Sequence, residues 1–480
     1  MRNRRRLVFL VLAFLSIGVA ASMAQTKSEK IDSLMRVYNE YGQFNGSLLV
    51  AENGTVILKK GYGFANFEWD IPNTPDTKFR LGSITKQFTA MLIMQQVEKG
   101  AIALDDPIDK YLKDYPKPQG EKVTVRHLLT HTSGTPNYTE FMDIRRDRSS
   151  YSLDRLIATF SSKPLEFEPG TKWHYSNSGY VLLGAILEHV TGKPYEALLR
   201  TSILDPLGMM NSGYDHFEPI LKKRATGYER SVNLENAPYL DMSVPYAAGA
   251  MYSTVEDLYL WDRALYTDRL ISAKSKALYF TPFLNHYAFG WGVNFIRQGE
   301  SSDTVLAISH GGGINGFNTL IVRIPDAQHL IVLLNNTGGT GLEEMARAIC
   351  GILYGKAYAL PRRSLAVELG TFINGHGLEQ VAGKFRELKE RTGEFSLRES
   401  EMNMLGYQLL QQGKAKAAIE VFKLNVDAYP KSWNVYDSLG EAYMNDGQTS
   451  LAIENYEKSI ELNPANVNGV DTLKKLKGGK

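Results

Sequence analysis

The sequence has only one cysteine, Cys350, in a chain of 480 residues. A single thiol excludes an internal disulfide, so the folded protein must be held together by its apolar core alone. A chain of this length is too long for one such core, and two or three domains are expected. Beyond the N-terminal segment we expect no stable membrane span.

Neither sign of charge is in excess. The sequence carries 54 basic and 52 acidic residues, a formal net charge of +2 at pH 7. Four of the basic residues are arginines in the segment 1–24, which contains no acidic residue. The remainder therefore has 50 basic and 52 acidic residues and a net charge of −2. Because no basic stripe survives, the composition argues against nucleic acid as a partner.

The N-terminal segment has the pattern of an export signal. Its arginines precede an apolar run at 7–21, and the small residues at 22–24 offer a cleavage site. We predict that residues 1–24 are a secretory signal peptide and that the mature protein is periplasmic or secreted, in a bacterium. The alternative is a retained N-terminal anchor helix. Cys350 is not near the cleavage site, so lipid attachment there is unsupported.

The stretch Phe79–Phe88 contains Ser83-x-x-Lys86 at the start of an apolar run that ends at Gly100. Such a run predicts one buried helix, with Ser83 near its N-terminus and Lys86 one turn later on the same face. A desolvated lysine amine can take the proton of a serine hydroxyl and make it a nucleophile. Alternatively, the two residues are a helix cap and a solvated charge, since the pattern is common by chance.

Strands are predicted on both sides of this helix. Runs at 46–51 and 55–59 flank Asn53-Gly54, which is a strong hairpin signal. Four later runs with short turns between them indicate an antiparallel meander. These runs are 288–295, 304–309, 317–324 and 329–334. Between the meander and the Ser83 helix, Ser253 with Glu256 predicts a capping box at the start of another helix.

His127 and His131 have the four-residue spacing of a zinc-binding helix. However, Leu128 stands where the zincin motif needs a glutamate base, so no metal site is predicted. A structural helix turn that ends at Gly134 is the preferred interpretation.

Three more polar positions can be either structural or functional. Tyr175 and Asn177 precede an apolar helix that ends at Gly192, where a core aromatic and a helix N-cap are the ordinary interpretation. His310 opens the run His310–Gly313 at a strand edge, where glycines let a ligand or another backbone approach closely. Taken alone, His310 is a surface histidine.

Taken in order, Ser83-x-x-Lys86, Tyr175-x-Asn177 and His310-Gly-Gly resemble the three motifs of the serine β-lactamase and penicillin-binding protein family, in its class C, DD-peptidase and esterase branch. The resemblance covers about residues 28–356. It implies an α+β fold, with an antiparallel sheet flanked by helices and a helical subdomain. It also implies a serine hydrolase that needs no metal or organic cofactor.

The resemblance implies a role for each residue. Ser83 would be the nucleophile, and Lys86 and Tyr175 would share proton transfer, with the base unassigned between them. Asn177 would hydrogen-bond the substrate amide or Lys86. The backbone N–H groups of Ser83 and Gly313 would form the oxyanion hole.

His310 is a departure from the β-lactamase pattern, because a lysine opens the corresponding motif there. His310 would orient the tyrosine hydroxyl or the substrate, and Gly311 and Gly312 would line the substrate site. A neutral imidazole is a weaker anchor for a carboxylate than a lysine. The expected substrate is therefore an ester, an amide or a D-amino acid peptide rather than a β-lactam.

The C-terminal region repeats with a period of 34 residues, which is the tetratricopeptide pattern. The repeat is carried by the pairs Leu405 and Leu439, Gly406 and Gly440, Gly413 and Gly447, Ala418 and Ala452, Phe422 and Tyr456, and Pro430 and Pro464. We predict two repeats at 402–469, a helical linker or cap at 357–400 and a C-terminal end at 470–480. The tail would bind a peptide or protein partner, or dock on its own hydrolase domain.

Two functions follow from these patterns. The first is an exported serine hydrolase that acts on a small-molecule or peptide substrate through an acyl-enzyme. The second is a catalytically weak, penicillin-binding-like sensor or scaffold whose tetratricopeptide tail finds the partner. The complete set of side chains for acyl transfer favours the first.

Overall fold

The fold is described from a computed structural model, which places residues 25–144, 147–230 and 233–478. The predicted signal peptide, residues 1–24, lies outside the described residues. Within those ranges no helix is long and apolar enough to cross a membrane.

The described residues form an α+β fold followed by an all-helical tail. The strands are β1 Gly46–Glu52, β2 Thr55–Tyr62, β3 Phe64–Asn66, β4 Ile71–Pro72, β5 Phe79–Arg80, β6 Gly213–Tyr214, β7 Tyr228–Arg230, β8 Leu234–Asn236, β9 Met251–Ser253, β10 Gly292–Arg297, β11 Thr304–Ile314, β12 Phe317–Ile324, β13 His329–Asn335, β14 Thr337–Gly338, β15 Arg363–Ser364 and β16 Phe395–Ser396. The helices are α1 Lys27–Glu40, α2 Thr85–Glu98, α3 Lys117–Gly120, α4 Val125–Leu129, α5 Leu153–Ser161, α6 Asn177–Thr191, α7 Tyr195–Leu199, α8 Asp205–Leu207, α9 Tyr246–Gly249, α10 Val255–Ala264, α11 Ala273–Tyr279, α12 Glu343–Leu353, α13 Leu365–His376, α14 Val381–Glu390, α15 Glu399–Gln411, α16 Ala415–Ala428, α17 Trp433–Asn445, α18 Thr449–Leu462 and α19 Val467–Leu476.

A six-stranded sheet in the order β10-β11-β12-β13-β1-β2 is the centre of the hydrolase region. Every neighbouring pair in it is antiparallel, as the hairpin and meander patterns predict. The first hairpin joins the meander where β1 pairs with β13, with Leu48 opposite Leu333. Strands β1 and β13 are buried along almost their whole length. Their sequences are therefore apolar throughout instead of alternating, because helices cover both faces.

Two apolar cores lie on opposite faces of this sheet. On one face α1 and α12 pack through Leu34 and Ile349. On the other face the helical subdomain packs through Phe88 of α2, Leu182 of α6 and Trp261 of α10, all with no exposed surface. Each fully buried side chain of this size contributes about 1.5–3 kcal/mol relative to exposure. A chain without disulfides can be held by cores of this extent.

The tail has its own apolar core, which is separate from the two cores of the hydrolase region. The pair α15 and α16 and the pair α17 and α18 begin 34 residues apart, which agrees with the sequence period. The repeated glycines explain part of that period. A Cβ on Gly406 would lie 2.4 Å from the Phe422 ring, and one on Gly440 would lie 3.2 Å from Tyr456. The helices of each pair approach too closely for a side chain at these positions.

The predicted capping box at Ser253 is wrong by one residue. Thr254 caps α10, because its side chain accepts a hydrogen bond from the Asp257 N–H. Ser253 is instead the last residue of β9 and pairs with Phe79 of β5. The Ser253 hydroxyl lies 2.7 Å from that of Ser212. Strand pairing therefore holds Ser253 in β9, one residue before the N-cap of α10.

Candidate active site

Ser83 lies in a short 3₁₀ turn, Gly82–Ile84, that leads directly into α2. No side chain caps this helix start, and α2 is buried from Thr85 to Gln96. The burial of α2 therefore holds this turn in place without a capping side chain. Ser83 itself is half-buried and borders a cleft.

Lys86 lies one turn beyond Ser83 and has no exposed surface. Its Nζ lies 3.0 Å from Ser83 Oγ, 2.8 Å from Asn177 Oδ1 and 2.9 Å from the Ala248 carbonyl oxygen. Burial lowers the pKa of Lys86 well below its usual value. With no carboxylate among these contacts to hold a positive charge, the neutral amine is favoured.

Tyr175 reaches the same serine from the other side. Its hydroxyl donates to Ser83 Oγ over 2.7 Å. Lys86 Nζ also lies 4.8 Å from the centre of the Tyr175 ring. Burial raises the pKa of Tyr175 above its ordinary value, and the Ser83 hydrogen bond opposes this only in part. Tyr175 is therefore a phenol at neutral pH, and Lys86 is the better base of the two.

Asn177 is the first residue of α6, whose N-cap is Ser176. Its backbone N–H donates to Asn137 Oδ1 over 3.0 Å, and its Nδ2 donates to Thr139 Oγ1 over 3.1 Å. These bonds fix the amide so that Oδ1 points at Lys86. Asn177 is thus a hydrogen-bond partner of Lys86 at the edge of the cleft.

The glycine run lies on β11, directly against the turn that carries Ser83. A Cβ on Gly312 would lie 1.9 Å from the Leu81 carbonyl oxygen, so only glycine fits there. Gly82 has a φ of +55°, and a Cβ on it would lie 3.1 Å from the backbone nitrogen of Gly313. The strand and the turn are therefore in direct backbone contact, and Gly313 borders the cleft beside Ser83.

His310 is bound to Tyr287 and not to Tyr175. Its Nε2 lies 2.8 Å from the Tyr287 hydroxyl, and its Nδ1 lies 2.6 Å from the Gly311 carbonyl oxygen. A carbonyl can only accept, so Nδ1 carries the hydrogen. Burial, together with the nearby Lys86, lowers the pKa of His310 to about 4. The ring is then neutral at pH 7, and the Tyr287 hydroxyl donates to Nε2.

A second histidine, His131, lies behind Tyr175. Its ring centre is 4.2 Å from that of Tyr175, 4.6 Å from Tyr287 and 5.2 Å from Tyr180. Its Nδ1 accepts from the Ser176 N–H over 3.2 Å, while Nε2 has no hydrogen-bond partner among the described residues. Burial lowers the pKa of His131 well below its usual value. This ring is a neutral packing support for Tyr175.

The histidine pair that has zinc-like spacing does not share a helix face. The helix α4 ends at Leu129, and His131 follows it with a φ of +57°. His127 Nδ1 accepts from the Thr124 N–H instead. In residues 25–144, 147–230 and 233–478, no group of three metal-ligating side chains converges.

Ser83 opens into a cleft of about 500 Å³. Gly82, Asn177 and Gly313 line its inner end, and the β7–β8 hairpin lines another side. The far side is formed by Met404, Gln408 and Gln411 of α15, in the tail. A volume of this size encloses a small organic ligand or a short peptide segment.

The structure brings together four of the predicted side chains: Lys86 and Tyr175 both contact Ser83 Oγ, and Asn177 contacts Lys86. Gly313 borders the cleft as well, whereas Gly311 and Gly312, predicted to line the substrate site, are not among its lining residues. His310 hydrogen-bonds Tyr287, and its ring centre lies 6.5 Å from that of Tyr175. Tyr287, His131 and the α15 residues are additional. Tyr287 carries no motif in the sequence, and His131 lies in the predicted turn that ends at Gly134. The helix α15 lies in the predicted repeat region, whose pattern does not indicate a position at the cleft.

Comparisons with known proteins agree with this architecture. The sequence profile of the Beta-lactamase family matches residues 30–350, and a Tetratricopeptide repeat profile matches residues 434–466. The chain is 32% identical over 374 residues to penicillin-binding protein 4* of Bacillus subtilis (strain 168), covering 71% of this chain and 79% of that protein.

Solved structures show the same similarity. The penicillin binding protein from Bacillus halodurans superposes with a TM-score of 0.57 at 29% identity, covering 65% of this chain and 98% of that one. The D-amino acid amidase from Ochrobactrum anthropi SV3, complexed with L-phenylalanine, superposes with a TM-score of 0.58 at 26% identity, covering 67% of this chain and 99% of that one.

The antiparallel sheet with its helical subdomain is the fold of the serine hydrolases to which these proteins belong. The chain belongs to the β-lactamase family. It is a serine hydrolase with a tetratricopeptide region at its C-terminus.

Proposed function

We propose that the chain is an exported hydrolase that cleaves an ester, an amide or a D-amino acid peptide through an acyl-enzyme on Ser83. One observation supports this most directly. A lysine without exposed surface lies 3.0 Å from a serine hydroxyl that borders the cleft. Such an arrangement is the activated nucleophile that acyl transfer needs.

The hydrogen bonds of Lys86 favour this lysine as the base. Asn177 Oδ1 and the Ala248 carbonyl oxygen are both acceptors, so they use the two N–H groups of a neutral amine. The remaining direction points at Ser83 Oγ and holds the lone pair. In the first step the Ser83 oxygen bonds to the substrate carbonyl carbon, and the serine proton moves to Lys86 Nζ.

Tyr175 then delivers a proton to the leaving group. The bond between the carbonyl carbon and the leaving oxygen or nitrogen breaks, and the Lys86 proton is relayed through the Tyr175 hydroxyl to that atom. Water next attacks the acyl carbon and returns its proton by the same route, so that Ser83 regains its hydrogen. A phenol with a raised pKa suits this relay, because it gives up a proton only when it gains one.

The backbone beside Ser83 supplies the oxyanion site in this mechanism. The N–H groups of Ser83 and Gly313 would donate to the carbonyl oxygen as it gains charge. Support comes from the close contact of the two backbones, since Gly82 and Gly312 leave no room for a side chain between them.

The state of His310 supports the proposed substrate class. A β-lactam or a peptide with a free carboxylate is best held by a fixed positive charge. His310 is neutral at pH 7 and is occupied by Tyr287 and Gly311. Esters, amides and D-amino acid derivatives without that carboxylate are therefore favoured, and one of the structural neighbours is a D-amino acid amidase.

A fluorophosphonate probe tests the nucleophile. The full chain should become labelled, and peptide mass mapping should place the label on Ser83. Ser83→Ala should remain folded and unlabelled. Label on a peptide without Ser83 would refute the assignment. Stable labelling by a fluorescent penicillin, without turnover of any ester or amide, would support a sensor instead.

Export is part of the same proposal and is tested separately. The support is the arginine-rich, apolar segment 1–24. Expression in a bacterial host followed by N-terminal sequencing of the periplasmic fraction should give a chain that begins near Gln25. A full-length chain that remains in the membrane fraction would favour the anchor helix.

A further inference from the structure

The far wall of the Ser83 cleft belongs to the tail. Met404, Gln408 and Gln411 line the same cleft as Ser83 and Asn177. Their spacing of four and three residues places them on one side of α15. Met402, Leu405 and Leu409 of the same helix are buried in the core of the tail. The helix thus has one side that packs in its own repeat and another that faces the cleft.

The cleft-facing side of α15 is accessible. Met404 is 42% exposed, although it is a large apolar residue in a helix that buries Met402, Leu405 and Leu409. Its terminal methyl would lie 3.7 Å from a Cβ on Gly339, so Met404 lies beside the residue that follows β14. Gln411 is exposed as well. Apolar and amide groups are therefore presented together towards the cleft.

Polar contacts hold α15 in this position. Arg398, at the start of α15, donates to Glu344 of α12 over 2.6 Å. Gln43 donates to the Arg362 carbonyl oxygen over 2.6 Å, and the Arg363 guanidinium lies 5.1 Å from the Tyr41 ring centre. These contacts join the tail to α12 and to the turn that follows α1. The position of α15 is therefore specified by named pairs and not only by the covalent linker.

We propose that α15 is the specificity-determining wall of the active site, and that it binds the part of an extended peptide or peptide-like amide remote from the bond being cleaved. The Gln411 amide can donate to and accept from the substrate backbone, and Gln408 lines the same side of the cleft. The Met404 side chain can contact an apolar substrate group of variable shape. This inference rests on the proposed function, because it assumes that Ser83 is the nucleophile.

The proposal predicts a dependence on substrate length. A small ester needs only the inner end of the cleft, at Ser83 and Gly313. A longer peptide also reaches α15, and contacts that are equal in the ground and transition states lower KM without changing kcat. Losing them should therefore raise KM for long substrates alone.

The experiment uses the full chain and one series of substrates. These are p-nitrophenyl acetate, D-alanine p-nitroanilide, and that anilide extended at its N-terminus by one to four residues. The triple variant Met404→Ala, Gln408→Ala and Gln411→Ala is compared with wild type. The matched control is Met444→Ala with Gln412→Ala, which removes a methionine of similar exposure and the neighbouring glutamine outside the cleft.

We expect wild-type kcat/KM to rise with peptide length, and the triple variant to lose about tenfold on the longest anilides through KM, the change that 1.4 kcal/mol of binding produces. The triple variant should lose less on the ester than on the longest anilides, and the control should follow wild type throughout. Equal length dependence in the triple variant and wild type would overturn the role of α15. Ester turnover that survives Ser83→Ala would instead overturn the proposed function, whatever the length dependence.

Discussion

Lys86 Nζ lies 3.0 Å from Ser83 Oγ, yet Lys86 has no exposed surface while Ser83 borders an open cleft. Two side chains one helical turn apart therefore differ in their access to solvent. This difference arises because Ser83 lies in the 3₁₀ turn before α2, whereas the helix itself is buried from Thr85 to Gln96.

Lys86→Met should lower ester turnover by about 10³-fold or more, because it removes the proposed base while keeping the length of the side chain. Lys86→Arg should be equally inactive, since a guanidinium does not lose its proton. Both rates are measured with p-nitrophenyl acetate, and folding is checked by circular dichroism. Lys78→Met is the control, because Lys78 is also buried but lies away from the cleft. Activity retained in Lys86→Met would remove this lysine from the mechanism.

Tyr175→Phe should cost about 10²–10⁴-fold in turnover, the usual range for loss of a general acid or base. The ring and its packing against His131 are kept, so the thermal midpoint should change little. Tyr180→Phe is the matched control. Its ring also lies near Lys86, at 5.5 Å, but its hydroxyl donates to the Leu129 carbonyl oxygen. Equal loss in both variants would mean that the effect is structural.

His310→Lys should improve the acylation rate by a chromogenic cephalosporin, because it supplies a fixed positive charge for the substrate carboxylate. The wild-type protein should be a poor β-lactamase, far below the diffusion ceiling of about 10⁸ M⁻¹s⁻¹. Stopped-flow measurement of acylation gives both values. A wild-type rate near that ceiling would contradict the prediction. His310→Gln serves as the neutral comparison and should not gain cephalosporin activity.

The protein should lose stability as the pH falls below about 6.5. His131 is neutral in the folded state because burial lowers its pKa. In the unfolded chain it binds a proton near its ordinary value, so protons favour unfolding over that range. One such group changes the free energy of unfolding by up to about 1.4 kcal/mol per pH unit. Thermal midpoints between pH 7.5 and 5 should fall less steeply in His131→Asn than in wild type.

The control for this pH dependence is His376→Asn, at the exposed end of α13. Its ring is exposed and stacks on Phe372, outside the buried cluster around Tyr175, so this variant reports what loss of a histidine elsewhere does to the slope. An unchanged slope in His131→Asn would mean that other groups cause the acid sensitivity.

The β1–β2 hairpin and the later meander could be predicted because each is a set of β-rich runs bounded by clear turns. The pairing of β1 with β13, which joins them into one sheet, was not predicted, because no local pattern records it. The proximity of Ser83 and Lys86 was also predictable, because a spacing of three positions in a helical turn brings two side chains together. The contact of Tyr287 with His310 was not, because it depends on where the chain before β10 folds back. The position of α15 at the cleft was equally hidden. It depends on Arg398 and Glu344, two surface charges without any local pattern.

The close approach of Gly312 to Leu81 limits how this sequence can change. With 1.9 Å between a Cβ at 312 and the Leu81 carbonyl oxygen, no single substitution at 312 is tolerated while the turn keeps its course. The turn cannot shift alone either, because Thr319 Oγ1 donates to the same carbonyl over 2.7 Å. Mutational paths that remodel the turn that carries Ser83 must therefore alter β11 and β12 in the same step. Changes in substrate range are accordingly easier to reach at the β7–β8 hairpin and at α15, which line the cleft without taking part in this backbone contact.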